Sequence, residues 1–342
     1  LSDCFIGRLF GRMVSDKAKR LSTTPTLHHS LMTSPLLRNK HFDKSSVFTV
    51  EGLLREARRQ KNTANGDVPE ICLLDPDGDL FRELQASGVR VNPHWACYHT
   101  EMLELTTSTE TVGVIGCAVG ASYAVLVAEE LFASGCRLLV SITSAGQLVA
   151  AANPPYFVLI DRAIRDEGTS HHYLPPAAYA HVAPELLVRT EKLLETGEPN
   201  VIRGGAWTTD APFRETKEAI AFARSEGLLA VEMEAAALYA LAEAKAYPIL
   251  CFAHVTNQMA TVENDFEKGE ANGNRALIDL LERVINVSQA EVVRRSLEQA
   301  ESAETTAQKD PEVLLQRLHE TGGGLAAEEA AAYMEQVRED RK

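Results

Sequence analysis

Six uncharged residues, Val112-Gly113-Val114-Ile115-Gly116-Cys117, run into the small-residue turn Ala118-Val119-Gly120-Ala121-Ser122 and then into a stretch of helix formers, Tyr123–Ala133. Gly135 stops that helix, and a second apolar run, Arg137–Ile142, comes directly after it. A strand, a helix and a strand in so short a span leave room only for a crossover that lays the second strand parallel to the first. The pattern recurs. Ile71-Cys72-Leu73-Leu74 ends at Asp75-Pro76-Asp77-Gly78-Asp79 and is followed by a helix, Leu80–Ser87. Further strands are predicted at Val89–Val91, Tyr98–Leu105, Tyr156–Ile160, Asn200–Trp207 and Pro248–His254, with a helix about Pro184–Glu195. Thr49 is placed to cap a helix through about Arg59, and Thr216 or Asp210 to cap the one after residue 216. The fold expected is α/β: a mostly parallel or mixed twisted central sheet flanked by helices on both faces, with a helical C-terminal tail.

Composition sets the outer limits. Residues 1–47 are basic, rich in hydroxyls and poor in acid, which suits an organellar targeting segment or, as preferred here, a poorly ordered extension with one short amphipathic turn near Phe5–Phe10. The chain begins with Leu, which leaves Met13 or Met32 as other starting points. The α/β domain is expected over 48–288 and the helical tail over 289–342, with 271–303 helical and a hairpin of Pro311–Glu320 and Ala326–Glu339 around Gly322-Gly323-Gly324. A net charge of −14 argues against a nucleic-acid or membrane-surface binder. The six cysteines show no metal spacing, and Cys72, Cys117 and Cys251 lie in apolar runs, so buried reduced thiols in a cytoplasmic protein without a metal site are expected. No apolar stretch approaches the ~18 residues a membrane helix needs.

The chemistry concentrates at Val231-Glu232-Met233-Glu234-Ala235, where an apolar strand, Leu228–Val231, meets a run of helix formers reaching about Ala246. That places two carboxylates and a thioether at the C-terminal end of a strand, where open α/β sheets hold their ligands. An acidic first helical turn satisfying the helix dipole accounts for the same residues without any ligand. Two polar segments, 165–176 and 208–216, are too rich in Gly, Pro and charge for core elements and read as functional loops.

With Pro248–His254 and the turn Val255-Thr256-Asn257, the Glu-Met-Glu stretch resembles the ribose-binding segment of the nucleoside phosphorylase/nucleosidase superfamily. The run Gly116–Ser122 is similar to that family's Gly-rich strand-to-helix turn, and Ser144-Ala145-Gly146 to its phosphate-holding turn. The resemblance covers about 70–282. It implies a nucleoside phosphorylase-like fold, a nucleoside substrate, no metal or organic cofactor, phosphate as co-substrate, and a homo-oligomer of at least two copies. It implies that Met233 packs on the sugar and that Glu234 accepts the 2′- and 3′-hydroxyls, with Glu232 beside it. Such an acceptor also favours positive charge on the sugar ring. Gly120, Ser122 and Ser144 would line the phosphate or water site. Gly146, His172, Phe213 and Arg214 would contact substrate, Arg214 by stabilising a carbonyl oxygen of the base.

The departures from the family pattern bear on the nucleophile. Its phosphate-binding arginines fall here on Gly78, on Ser141 and near Trp95-Ala96-Cys97, with Arg82, Arg90 and Arg137 as substitutes of unknown placement. A dianion then lacks its usual guanidinium partners. Nucleosidases of the family keep an acid near the first turn to activate water, a part open to Asp77 or Asp79. Where purine-specific members carry an aspartate to protonate the base, this chain has Asn257, which delivers no proton at neutral pH. His254 reads as a core histidine, and His171 or His172 as a base contact. Phosphorolysis is the first reading, hydrolysis by activated water the second, and a non-catalytic nucleoside- or nucleotide-binding protein the third.

Overall fold

In the computed structural model, residues 34–191, 199–259, 261, 263 and 265–286 are described. The chain forms two units, Leu1–Lys44 and Ser45–Lys342. In the first, residues 34–44 carry a short 3-10 turn, Pro35–Leu37, capped by the Ser34 hydroxyl. The N-terminal amphipathic turn, the 287–303 part of the helix expected over 271–303, and the C-terminal hairpin lie outside the described residues.

The second unit opens with α1 (Val50–Lys61). Its N-cap is Thr49, whose hydroxyl accepts the Gly52 N–H, and it closes on Asn62 in the left-handed region. Next come β1 (Ile71–Asp75), α2 (Asp79–Ala86), β2 (Leu103–Thr106), β3 (Thr111–Gly116), α3 (Ala121–Ala133), β4 (Leu138–Gln147), β5 (Tyr156–Asp166), β6 (Tyr179–His181), α4 (Pro184–Thr190), β7 (Val201–Thr209), α5 (Lys217–Ser225), β8 (Leu228–Glu232), α6 (Ala235–Lys245), β9 (Ile249–Asn257) and α7 (274–286). Thr216, not Asp210, caps α5 by accepting the Ala219 N–H. Among the described residues no helix is long and apolar enough to cross a membrane.

The sheet is mixed and runs β2-β3-β1-β4-β8-β7-β5-β6, with β9 paired to both β4 and β5. β1 lies parallel to β3 and β4, β4 to β9, and β7 to β5 and β8. The remaining ladders are antiparallel, including β4–β8 and β5–β9. The strands β4, β9, β5, β7 and β8 therefore close on one another in a ring. Closure happens at the C-terminal end of β4, where Gly146 faces Val231 of β8 and, after a bulge, Asn257 of β9. A bulge bends its strand and re-aims the residues beyond it, and here it gathers three strand ends in one place.

Two expected strands fail. Neither Val89–Val91 nor the whole of Tyr98–Leu105 is a strand: a single bridge joins Val91 to Leu103, and β2 starts only at Leu103. The Asn92 side chain takes the backbone instead, accepting the N–H groups of His94 and Trp95, both at 2.9 Å, while the Trp95 indole donates to Thr100. Side chain to backbone bonds of this kind compete with a strand ladder.

Helix α6 is buried from Ala235 to Ala242. That explains its alanines: a helix covered on every side against a sheet and against α3 needs small side chains to approach closely. Tyr239 pins it, its hydroxyl donating to the Ile160 carbonyl at 2.6 Å and accepting the Cys251 N–H at 3.1 Å.

Candidate active site

The two acids of the Glu-Met-Glu stretch divide the work between them. Glu232 is the last residue of β8. One of its carboxylate oxygens accepts the N–H groups of Glu234 and Ala235, each at 2.7 Å, and the other accepts the Thr208 hydroxyl. The helix-dipole role belongs to Glu232, which caps α6 from inside the core. Its partners leave Glu234 free to turn elsewhere. Glu234 is 1% exposed and accepts the Gly120 N–H at 2.6 Å through Oε1, while among the described residues Oε2 has no hydrogen-bond partner. Burial, and after it the neighbouring charge of Glu232, push its pKa up to about 8, with Asp77 adding to the effect. Met233 is half-buried in the turn between them.

The Asp75–Asp79 turn comes up against the same place from β1. Asp75 is buried and holds the turn by accepting the N–H groups of Gly78 and Phe81, at 3.1 and 3.0 Å. Burial raises its pKa to about 6. Asp77 reaches across to β4, where its carboxylate accepts the Ser144 N–H at 2.6 Å. Asp79 is taken up by cations. Arg82 donates to it at 3.0 Å and Lys268 also binds it, and these bonds outweigh burial and lower its pKa. The same Arg82 touches the Asp77 carbonyl at 2.7 Å and the Cys117 sulfur at 3.2 Å.

None of the three positions where the resemblance places an arginine offers one. Gly78 has φ +74°, and a Cβ on it would lie 2.3 Å from the Cys117 sulfur, so only glycine fits. Ser141, Ala96 and Cys97 are buried. Of the substitutes, Arg90 pairs with Glu104 and Arg137 with Glu70, both arginines well exposed, so Arg82 alone stands at the Asp77 turn.

Hydrogen bonds thus bring together Glu234 with Gly120 and Asp77 with Ser144. Gly146 borders Asn257 and Met259: a Cβ on it would meet them at 3.4 and 3.0 Å. Ser122 is exposed on the first turn of α3. His172 is exposed on the 167–176 loop, and Arg214 and Phe213 lie on the exposed 3-10 turn Pro212–Arg214, Phe213 at 99%. His254 is buried and stacks on Phe157 with ring centroids 4.4 Å apart, but its Nε2 has no partner among the described residues, and burial with the Lys268 charge lowers its pKa to about 4.

Sequence reading placed Arg165 and Glu167 in the polar segment but gave neither a role, and both organise the 167–176 loop. Arg165 is buried at the end of β5 and binds Ser170, Leu174 and Pro175, while Glu167 accepts the Thr169 and Ser170 N–H groups. The available signal was an arginine and a glutamate just before a Gly-Thr-Ser turn.

The family model of the phosphorylase superfamily matches residues 70–286, and the chain belongs to that superfamily, whose members act on nucleosides with phosphate or water. Particular relatives are distant. A guanosine phosphorylase of Halorubrum lacusprofundi is 26% identical over 182 residues, 53% of this chain and 75% of that protein. Uridine phosphorylase of Vibrio fischeri superposes with a TM-score of 0.55 at 17% identity, over 67% of this chain and 96% of the other. AMP nucleosidase of Bacteroides thetaiotaomicron does so at 0.52 and 20%, over 69% and 99%.

Proposed function

We propose that this chain cleaves the N-glycosidic bond of a nucleoside by hydrolysis, with Asp77 orienting the attacking water. The observation that carries this is the Asp77–Ser144 contact of 2.6 Å in a site whose three expected arginine positions are Gly78, Ser141 and Ala96-Cys97. Backbone donors that would hold a phosphate already hold carboxylates: Ser144 N–H serves Asp77, and Gly120 N–H serves Glu234. A carboxylate repels a dianion and accepts a proton from water. Asp79 is unsuited to the same task because Arg82 and Lys268 occupy it.

In this reading Glu234, once ionised, exchanges the Gly120 N–H for the ribose hydroxyls, and Met233 packs on the sugar. Glu234 and Asp77 together favour the positive charge that builds on the ring as its bond to the base breaks. Water adds to C1′, its proton passes to Asp77, and the electron pair of the C1′–N bond leaves with the base.

Phosphorolysis is the second reading, favoured by the guanosine phosphorylase relative and by Arg82 beside Asp77. The test is to incubate purified chain with guanosine, inosine, uridine and adenosine, with and without phosphate, and to assay free base, ribose and ribose 1-phosphate. Base release without phosphate, lost by about 10²-fold or more in Asp77→Asn, supports hydrolysis. Release that requires phosphate and yields ribose 1-phosphate overturns it. Binding without release points to a nucleoside-binding protein. The homo-oligomer that the family resemblance implies is checked on the same sample by light scattering.

A further inference from the structure

The turn after β1 crowds three carboxylates into a short span, Asp75, Asp77 and Asp79. Like charges so close make one another harder to ionise. Asp75 records the effect: burial lifts its pKa to about 6 against the N–H bonds from Phe81 and Gly78, and the charges of Asp77 and Asp79 add to the rise. Activating a water needs only one open acceptor. Asp75 spends one oxygen on each of its two N–H groups. Asp77 accepts the Ser144 N–H through Oδ2, and its Oδ1 has no hydrogen bond among the described residues.

The third charge, Asp79, is answered from a distant part of the chain. Nη2 of Arg82 donates to Oδ1 at 3.0 Å, and Nζ of Lys268 binds Oδ2. Arg82 divides its donors: the same Nη2 reaches the Asp77 carbonyl at 2.7 Å, and its side chain is 54% exposed. The Lys268 ammonium has no partner but Asp79 among the described residues, and both side chains are 26% exposed. Solvent screens such a pair less than one on the open surface. Burial alone raises the Asp79 pKa, and the bonds from Lys268 and then Arg82 carry it below the usual carboxylate value. Lys268 is itself held in place. Shortly before it, both carboxylate oxygens of Asp265 accept the Gln258 N–H, at 2.8 and 2.9 Å, which fastens the segment to the end of β9.

We propose that Lys268 is a positioning residue for the reaction at Asp77: by neutralising Asp79, it leaves Asp77 as the one carboxylate of the turn open to water. This rests on the hydrolytic reading above. Without the ammonium, Asp79 regains an open oxygen. It then competes with Asp77 for the attacking water and with the Asp77 carbonyl for Arg82. Lys268 acts through Asp79 and touches neither the water nor the nucleoside. It arrives from the segment after β9, so nothing in the sequence around the turn announces it.

The test measures phosphate-independent base release from guanosine, inosine, uridine and adenosine by the full chain. On a nucleoside that is cleaved, Lys268→Met should lower kcat by about 10-fold or more, with KM changed less than kcat, and Lys268→Arg should keep most of the rate. The double variant Lys268→Met/Asp79→Asn removes both charges and should regain most of what Lys268→Met loses. A tie that merely holds the fold together predicts the reverse, since the second substitution breaks a further ion pair, with Arg82. A Lys268→Met enzyme as fast as wild type, a loss confined to KM, or a double variant no faster than the single one each overturn the proposal. Lys268→Gln takes the place of Lys268→Met where that variant does not fold. A second measurement needs no activity: carbon-13 titration of the Asp75 carboxyl. The unmasked Asp79 charge should move its pKa upward from about 6 in Lys268→Met, and the double variant should bring it back. Should no nucleoside be hydrolysed, the hydrolytic reading fails on its own, and this titration still decides whether Lys268 neutralises Asp79. An Asp75 value that Lys268→Met leaves unmoved sinks that role.

Discussion

On the proposed reading Glu234 needs its charge to accept the hydroxyls of a ribose, yet it is buried beside Glu232 and Asp77, and its pKa is pushed up to about 8. In the free enzyme kcat/KM is therefore expected to rise with pH through that region, and Glu234→Gln to lose both the rise and most of the activity. The stability consequence has a definite sign. The unfolded chain releases this proton near the ordinary glutamate value of 4.5 and the folded chain only near 8, so between them the folded state holds the extra proton and loses stability as pH rises. Glu234→Gln removes that slope, so its melting temperature relative to wild type should climb from about pH 5 to about pH 8; a constant difference would contradict the assignment. A second residue-scale test is Gly78→Arg, which restores an arginine where the family carries one. The left-handed φ costs about 1–2 kcal/mol, and the overlap with Cys117 adds to it. Urea unfolding should show the loss, and phosphate-dependent base release should not appear.

At the scale of elements, α6 depends on a cap that lies outside it. Glu232→Ala leaves two buried N–H groups and the Thr208 hydroxyl without their acceptor. The expected cost is about 2–4 kcal/mol, with a smaller loss for Glu232→Gln, which keeps one acceptor oxygen; equal urea midpoints for all three proteins would refute the capping role. Much at this scale was legible in the sequence. The apolar runs gave β1, β3, β4 and β9, and Thr49 and Thr216 gave the starts of α1 and α5, because strand burial and helix capping are local properties of the chain. Tyr98–Met102 was not legible: its alternation suits a strand, but the Asn92 and Trp95 side chains fix a loop there instead.

The whole molecule places the site by closing five strands in a ring, so that Glu234 meets Gly120 and Asp77 meets Ser144 across long stretches of chain. With carboxylates on those backbone donors, inorganic phosphate should leave the melting temperature unchanged against chloride at equal ionic strength, whereas a cleavable nucleoside should raise it. A rise with phosphate alone would restore the phosphorylase reading. The sequence by itself determined the α/β class, the family and the Glu-Met-Glu stretch, since periodicity and short patterns survive in one dimension. Only the tertiary structure decided that Glu232 caps while Glu234 faces Gly120, that Asp77 reaches Ser144, and that Arg165 ties the 167–176 loop together. Each of these turns on which distant group lies within hydrogen-bond reach, and that is set by ring closure rather than by neighbours along the chain.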